Sequence, residues 1–300
     1  MLVSMSIKGA LLATLAGLVV AAFATVAGAA PGSAPCTEGD RVVVALHGAA
    51  IGAIGTVVPV LAVETAAQPA SSVVGVRLEG VVLPAIAGPA LREALAARLN
   101  AVARRGAGTV RLADRRPDRH GRWSGHLIDA AGTWVQADLV EAGLAVADAE
   151  GDCAAALIAA EAAARRARQG IWAADDVPVR IGPDGRARLP VDFVVVEGRV
   201  RTVGNAGRTT YLNFGADFAR DVTIVIDGRT LARFDADNRL PAGGPAGWAG
   251  RLVRARGWAT AGSGGEIRLA SPHALELLDG DPPSDGDEFE RNRVPLVDDK

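Results

Sequence analysis

Residues 109–172 read TVRLADRRPDRHGRWSGHLIDAAGTWVQADLVEAGLAVADAEGDCAAALIAAEAAARRARQGIW, and the fold is decided here. Thr109 to Ala113 and Arg122 to Ile128 are short β-prone runs, and Asp129-Ala130-Ala131-Gly132 has turn composition. Val135 to Glu141 predicts a short helix closed by Gly143. Cys153 to Gln169 predicts a long alanine-rich helix, with Gly170 where a C-terminal cap is expected.

Upstream, Arg41 to Ala45, Thr56 to Val63 and Val73 to Val82 are valine-rich and bounded by small or turn-forming residues, which predicts a three-strand meander. Pro89 suits a first helical turn, and Leu91, Leu95, Leu99 and Val102 recur at helical spacing up to about Arg104, before Gly106 and Gly108 end the run. The order is three strands, helix, strand pair, short helix, long helix.

That layout resembles the staphylococcal nuclease (thermonuclease) family, and particular residues carry the likeness. Asp118-Arg119-His120-Gly121-Arg122 is similar to the family's Asp-Lys-Tyr-Gly-Arg turn. Gly132-Thr133-Trp134-Val135 and Leu139-Val140-Glu141-Ala142-Gly143-Leu144-Ala145 resemble its strand-to-helix passage. Glu161 to Arg165 and Gly170-Ile171-Trp172 resemble its terminal helix. The likeness covers residues 109–172 well and 41–90 poorly. It implies an α+β fold, mainly β: a nuclease-type oligonucleotide-binding barrel with helices.

Chemistry in that family uses carboxylates and a carbonyl to hold calcium, two arginines to clamp phosphate and a glutamate to activate water. By resemblance, Arg77 and Arg122 occupy the two clamp positions, and a guanidinium fork suits phosphate. The family's Asp-Thr-Pro-Glu run falls on Val82-Leu83-Pro84-Ala85. Valine, leucine and alanine side chains offer no oxygen to a hard cation. From Arg41 to Ala90 the only acids are Glu64 and Glu79, so the family's upstream aspartates have no counterpart. Catalytic residues are therefore unassigned, no metal ligands are expected, and no cofactor is implied. Calcium enters only on the alternative reading, an active phosphodiesterase that gathers its metal through Glu64 or Glu79.

Each of these residues also has a plainer reading. Arg77 and Arg122 serve equally as ion-pair partners for Glu79, Asp114 or Asp118. Glu79 lies two residues from Arg77 on one strand, so the two share a face, and pairing is the expected arrangement. His120 and His126, flanking Arg122, read as solvated, and Trp134 and Trp172 as core. Arg92 to Arg122 holds nine arginines against Glu93, Asp114 and Asp118, a surplus of +6 that would fit a polyanion site. Arginine is also this protein's default cation, since Lys8 and Lys300 are its only lysines.

Beyond Trp172, residues 174–188 read as a linker, and 189–278 as a second, five-stranded barrel. Its strands are expected at Val191–Val203, Thr209–Phe214, Asp221–Ile226, Arg251–Trp258 and Glu266–Leu269. Thr210 to Gly215 and Val253 to Trp258 resemble the small oligonucleotide-binding-fold domain that follows some nuclease-like domains. Tyr211, Phe214 and Trp258 could stack bases, but core packing is the expected role.

The ends place the chain. Residues 1–29 read as a signal peptide: Lys8, an apolar Ala10–Ala24 run and a small-residue site ending at Ala29. Export to the periplasm or medium follows, with no membrane association after cleavage. In that compartment Cys36 and Cys153 are expected to form a disulfide. Residues 279–300 read as a disordered acidic tail with eight acids against three bases, which leaves 30–278 at a net +2. The combined expectation is an exported protein with a nuclease-like domain at 36–173 that lacks calcium-dependent nuclease activity. It would bind phosphate, nucleic acid or another polyanion weakly through its residual arginines. A structural envelope or protein-interaction module is the third reading.

Overall fold

The computed structural model describes residue 36 and residues 41–50, 59–65, 73–114, 116–217, 219–260 and 264–278. The signal-peptide and acidic-tail expectations, at 1–29 and 279–300, lie outside the described residues.

The first half is a closed barrel. Strands β1 (Arg41–Ala50), β2 (Val60–Thr65), β3 (Val73–Leu78), β5 (Ala107–Leu112) and β6 (Trp123–Asp129) pair in the order β1-β2-β3-β6-β5, and β5 returns to β1. Only the β3–β6 contact is parallel. The long strand expected over Val73–Val82 is broken at Glu79-Gly80, where Gly80 adopts φ 80° and turns the chain. The remainder, β4 (Val81–Val82), pairs instead with β7 (Val146–Ala147).

Helix α1 (Pro89–Ala103) begins with its proline and buries Leu95, Leu99 and Val102, the spacing that predicted it. Helix α2 (Val135–Glu141) ends on Gly143 with φ 64°, whose N–H bonds the Val140 carbonyl. Helix α3 (Ala154–Arg166) ends differently from expectation. Its left-handed residue is Arg168, φ 49°, and Gln169 N–H closes the last turn onto the Ala164 carbonyl. Gly170 serves a backbone crossing: a Cβ there would sit 2.2 Å from the Gly143 carbonyl oxygen. Ile171 N–H donates to that same oxygen at 2.9 Å.

The second half repeats the strand order. Strands β9 (Phe193–Arg199), β10 (Thr202–Ala206), β11 (Thr209–Asn213), β12 (Thr223–Asp227), β13 (Leu252–Thr260) and β14 (Glu266–Arg268) follow the path β10-β11-β12-β14-β13-β9. The two ends of that path are joined by Val200 and Arg201, whose N–H groups bond Arg251 and Asn213 on opposite flanks, so the sheet closes through one bent strand. As in the first barrel, a helix, α4 (Gly228–Ala236), follows the third strand, and one contact, β12–β14, is parallel.

Two additions depart from five strands. β15 (Leu275–Leu277) pairs with β13, and β8 (Val179–Arg180) adds to β9 from within the stretch read as linker, whose Ile181 is buried in the second core. The composition of 174–188 masked a strand of only two residues.

Alternation along β9 joins the halves. Phe193 and Val195 enter the core of the first barrel, while Val194 and Val196 enter that of the second.

Candidate functional site

The parallel β3–β6 contact sets the site. It aligns Arg77 with Ser124 and Val76 with Trp123, which brings Arg122 alongside Gly75. The Arg122 side chain lies across that glycine, because a Cβ on Gly75 would meet its Cγ at 3.1 Å. Gly75 and Arg77 are two residues apart on one strand and point the same way. Arg77 and Arg122 therefore share the outer face of the barrel, and Gly75 makes room for their side-by-side placement.

Each arginine is held by a carboxylate. Arg77 Nη2 donates to Glu79 Oε2 at 2.8 Å and to Ser124 Oγ at 2.8 Å, while Ser124 Oγ donates to Glu79. Arg122 Nε donates to Asp118 Oδ2 at 2.8 Å. Asp118 Oδ1 accepts the backbone N–H groups of His120 and Arg122, and Gly121 completes the turn at φ 72°. Those donors, that of Arg122 first, hold the Asp118 carboxyl down to about 2. Both arginine side chains remain more than a third exposed, at 36% and 38%.

Two further acids stand behind Glu79. The β4–β7 pairing places Asp148 opposite Gly80, and Asp148 N–H donates to the Gly80 carbonyl at 3.0 Å. Burial, with the charges of Glu150 and Glu79, pushes Asp148 up to about 7. Burial and Glu79 also raise Glu150. Even so, among the described residues no group of three His, Cys, Asp or Glu is spaced to hold a metal ion.

Two of the three positions where the resemblance puts the family's ligands and base are packed in the core. Val82 and Leu83 are 2% and 0% exposed within the first core, and Ala85 stands in the loop before α1. These residues do not fit a calcium ion, and Glu79 is committed to Arg77 and Ser124. Glu64 lies in β2, with its side chain outside the described residues.

The arginine surplus is dispersed. Arg98 pairs with Asp138, Arg105 with Asp129 and Arg122 with Asp118, while Arg111 turns toward the cysteines. Arg104, Arg116 and Arg119 are exposed, and Arg115 is outside the described residues. Sequence counting missed the partners of Arg98 and Arg105 because Asp138 and Asp129 lie beyond the counted window.

His120 is exposed, as expected, but His126 is not solvated. It is 2% exposed, edge-on to Trp134 at 5.5 Å, and its Nδ1 has no hydrogen-bond partner among the described residues. Burial, then the charge of Arg111, presses it down to about 4. Such a histidine is a packing element. Trp134 and Trp172 are core residues.

The strand pair, the three helices and the Gly-Ile-Trp end of the first barrel all lie between residues 89 and 174. Residues 89–174 match the family described as Staphylococcal nuclease homologue. No curated protein matches the chain. The nuclease-homologue match includes Arg122 and every helix of the first barrel. It begins after Arg77, Val82, Leu83 and Ala85, so the assignment of those four rests on the sequence resemblance alone.

In the second barrel Phe214 is buried, Tyr211 is half-buried and Trp258 is 46% exposed beside Phe193. Phe214 meets the expectation of core packing, Tyr211 meets it in part and Trp258 does not. Among the described residues, no helix is long and apolar enough to cross a membrane.

Proposed function

We propose that the first barrel is a nuclease-like domain that binds phosphodiesters weakly and does not hydrolyse them with calcium. The observation that carries this reading is the contrast between the outer face and the core of the barrel. Two arginines stand side by side, while the positions where the resemblance puts ligands and base hold buried Val82 and Leu83 and the loop residue Ala85. Apolar side chains packed into a core neither ligate a cation nor activate water.

Arg77 and Arg122 would contact successive phosphate oxygens. Glu79 and Asp118 already occupy them, and a phosphate must displace or share those carboxylates, which makes binding weak. The Arg122–Asp118 pair is exposed on both sides and contributes little on its own, so exchange is more accessible there than at the part-buried Arg77–Glu79 pair. Contacts of this kind position a strand without reading its bases. Export to the periplasm or medium, through a cleaved signal peptide at 1–29, belongs to the same proposal.

Incubating the purified protein with DNA and RNA across a calcium titration tests the catalytic half. Negligible cleavage at every concentration is expected. Calcium-dependent cleavage abolished by Arg122→Ala would establish the rearranged phosphodiesterase instead.

A further inference from the structure

Another constellation lies on β5. Arg111 Nη2 stands 3.2 Å from Cys153 Sγ, and Arg111 Nε donates to the Cys36 carbonyl at 2.8 Å. Cys36 and Cys153 are joined as a disulfide with Cα atoms 5.6 Å apart. Among the described residues no carboxylate pairs with Arg111, and its cross-strand partners are Arg41 on β1 and the buried His126 on β6. Cys153 is also the N-cap of the 13-residue helix α3, and its sulfur caps none of the first-turn N–H groups.

A disulfide sulfur is uncharged and a weak acceptor, so a guanidinium held against it gains little. A thiolate in the same place would gain a charge-assisted contact with Arg111 and the favourable end of the α3 dipole. The surroundings of Cys153 therefore complement the reduced form better than the oxidised one.

We infer that the Cys36–Cys153 bond is a thiol–disulfide exchange site for a dithiol reductant, in which Cys153 is the leaving thiolate. One reductant thiolate attacks Cys36 Sγ. The Cys36–Cys153 bond breaks, its electron pair leaves on Cys153, and a mixed disulfide remains on Cys36. The second reductant thiolate attacks the reductant's sulfur in that mixed disulfide and releases Cys36, which takes a proton. The reductant ends as a disulfide, and the protein has gained two electrons. Burial of Cys36 and Cys153, at 4% and 2% exposed, slows the exchange and by itself disfavours a thiolate, which the contact with Arg111 and the α3 dipole must outweigh.

The charged and titratable groups nearest Cys153 are Arg111, whose strand partners are Arg41 and His126, and the exposed Asp152 that adjoins it in the chain. Arg111 contributes the charge in contact with the sulfur.

Full-length protein equilibrated in glutathione redox buffers, for wild type, Arg111→Leu and Arg111→Lys, reads the effect. Arg111→Leu should make the bond about tenfold harder to reduce, about 30 mV for this two-electron couple, and Arg111→Lys should recover most of that. Separately, thiolate absorbance of Cys36→Ser against pH should place Cys153 at least about one unit below the free-cysteine value of about 8.5. A Cys153 thiol titrating at or above that value, or an Arg111→Leu equilibrium equal to wild type, overturns the inference. The Cys36→Ser titration keeps Arg111 and decides the matter even if Arg111→Leu does not fold.

Discussion

Arg256 of the second barrel bonds Glu161 of helix α3 in the first at 3.0 and 3.1 Å, and both side chains are 0% exposed. Around them, Arg256 also reaches the Ala147 carbonyl and Glu276, and Arg165 bridges Glu161 to Glu276. Burial opposes the charge on Arg256, yet Glu161 and Glu276 raise its hold on the proton above the ordinary value.

Removing one member leaves charge in the dark. Arg256→Met is expected to destabilise the protein by roughly 3–5 kcal/mol, because Glu161 loses its closest cross-barrel partner while staying buried. Adding Glu161→Gln to that variant should restore part of the loss, and urea titration of both measures it. Burial pushes the Glu276 carboxyl up, but Arg256, Arg165 and Arg254 outweigh it and hold it below its ordinary value. A depressed carboxylate stabilises fully above its unfolded value, so this contribution disappears as pH falls below about 4.5.

His126 gives the opposite kind of test. Its folded value of about 4 lies below the unfolded 6.5, so the unfolded chain takes up a proton first as pH falls. Stability is expected to decline between about 6.5 and about 4 by up to about 3 kcal/mol, and His126→Leu should remove that slope. Proton NMR titration should find one histidine neutral down to about pH 4, and its titration near 6.5 would refute the packing role.

Gly170 is expected to tolerate no side chain. With φ 61° and a Cβ falling 2.2 Å from the Gly143 oxygen, Gly170→Ala must part the α2–α3 crossing. A loss of about 2–4 kcal/mol in denaturant titration is expected, with Arg168→Gly, at the true helix cap, neutral or stabilising.

Much of the first barrel was legible because its signals are local. Helix α2 falls on the expected residues Val135–Glu141, and helix α1 lies within one residue of its expected end. The site was legible as residue types, and the expected Arg77–Glu79 pair is present because alternation puts both on one face. What sequence spacing could not show was long-range. Ser124 joins that pair through a parallel strand contact 47 residues away, and Asp148 arrives through a two-residue strand pair. The closing partners of Arg98 and Arg105 depend on how α1 lies against β6 and α2. In the second half, β8 is too short for composition to reveal.

Glu79 offers a signed test of the clamp. Because it competes with phosphate for Arg77, Glu79→Gln is expected to tighten oligonucleotide binding about two- to fivefold at low salt, a gain lost as salt rises. A weaker or unchanged affinity would mean that Arg77 is structural.

The central claim, a phosphate clamp retained on the outer face of the first barrel, is tested most directly by single-stranded oligonucleotide anisotropy across a salt series. Wild type, Arg77→Ala with Arg122→Ala, and Arg229→Ala in the second barrel are compared. The wild-type logarithm of affinity should fall against log salt with a slope of roughly −2 to −3. The double variant should flatten it by about 1 to 1.5 units, and Arg229→Ala should leave it unchanged. A double variant with wild-type affinity and slope would contradict the claim and leave Arg77 and Arg122 as ion-pair partners of Glu79 and Asp118 alone.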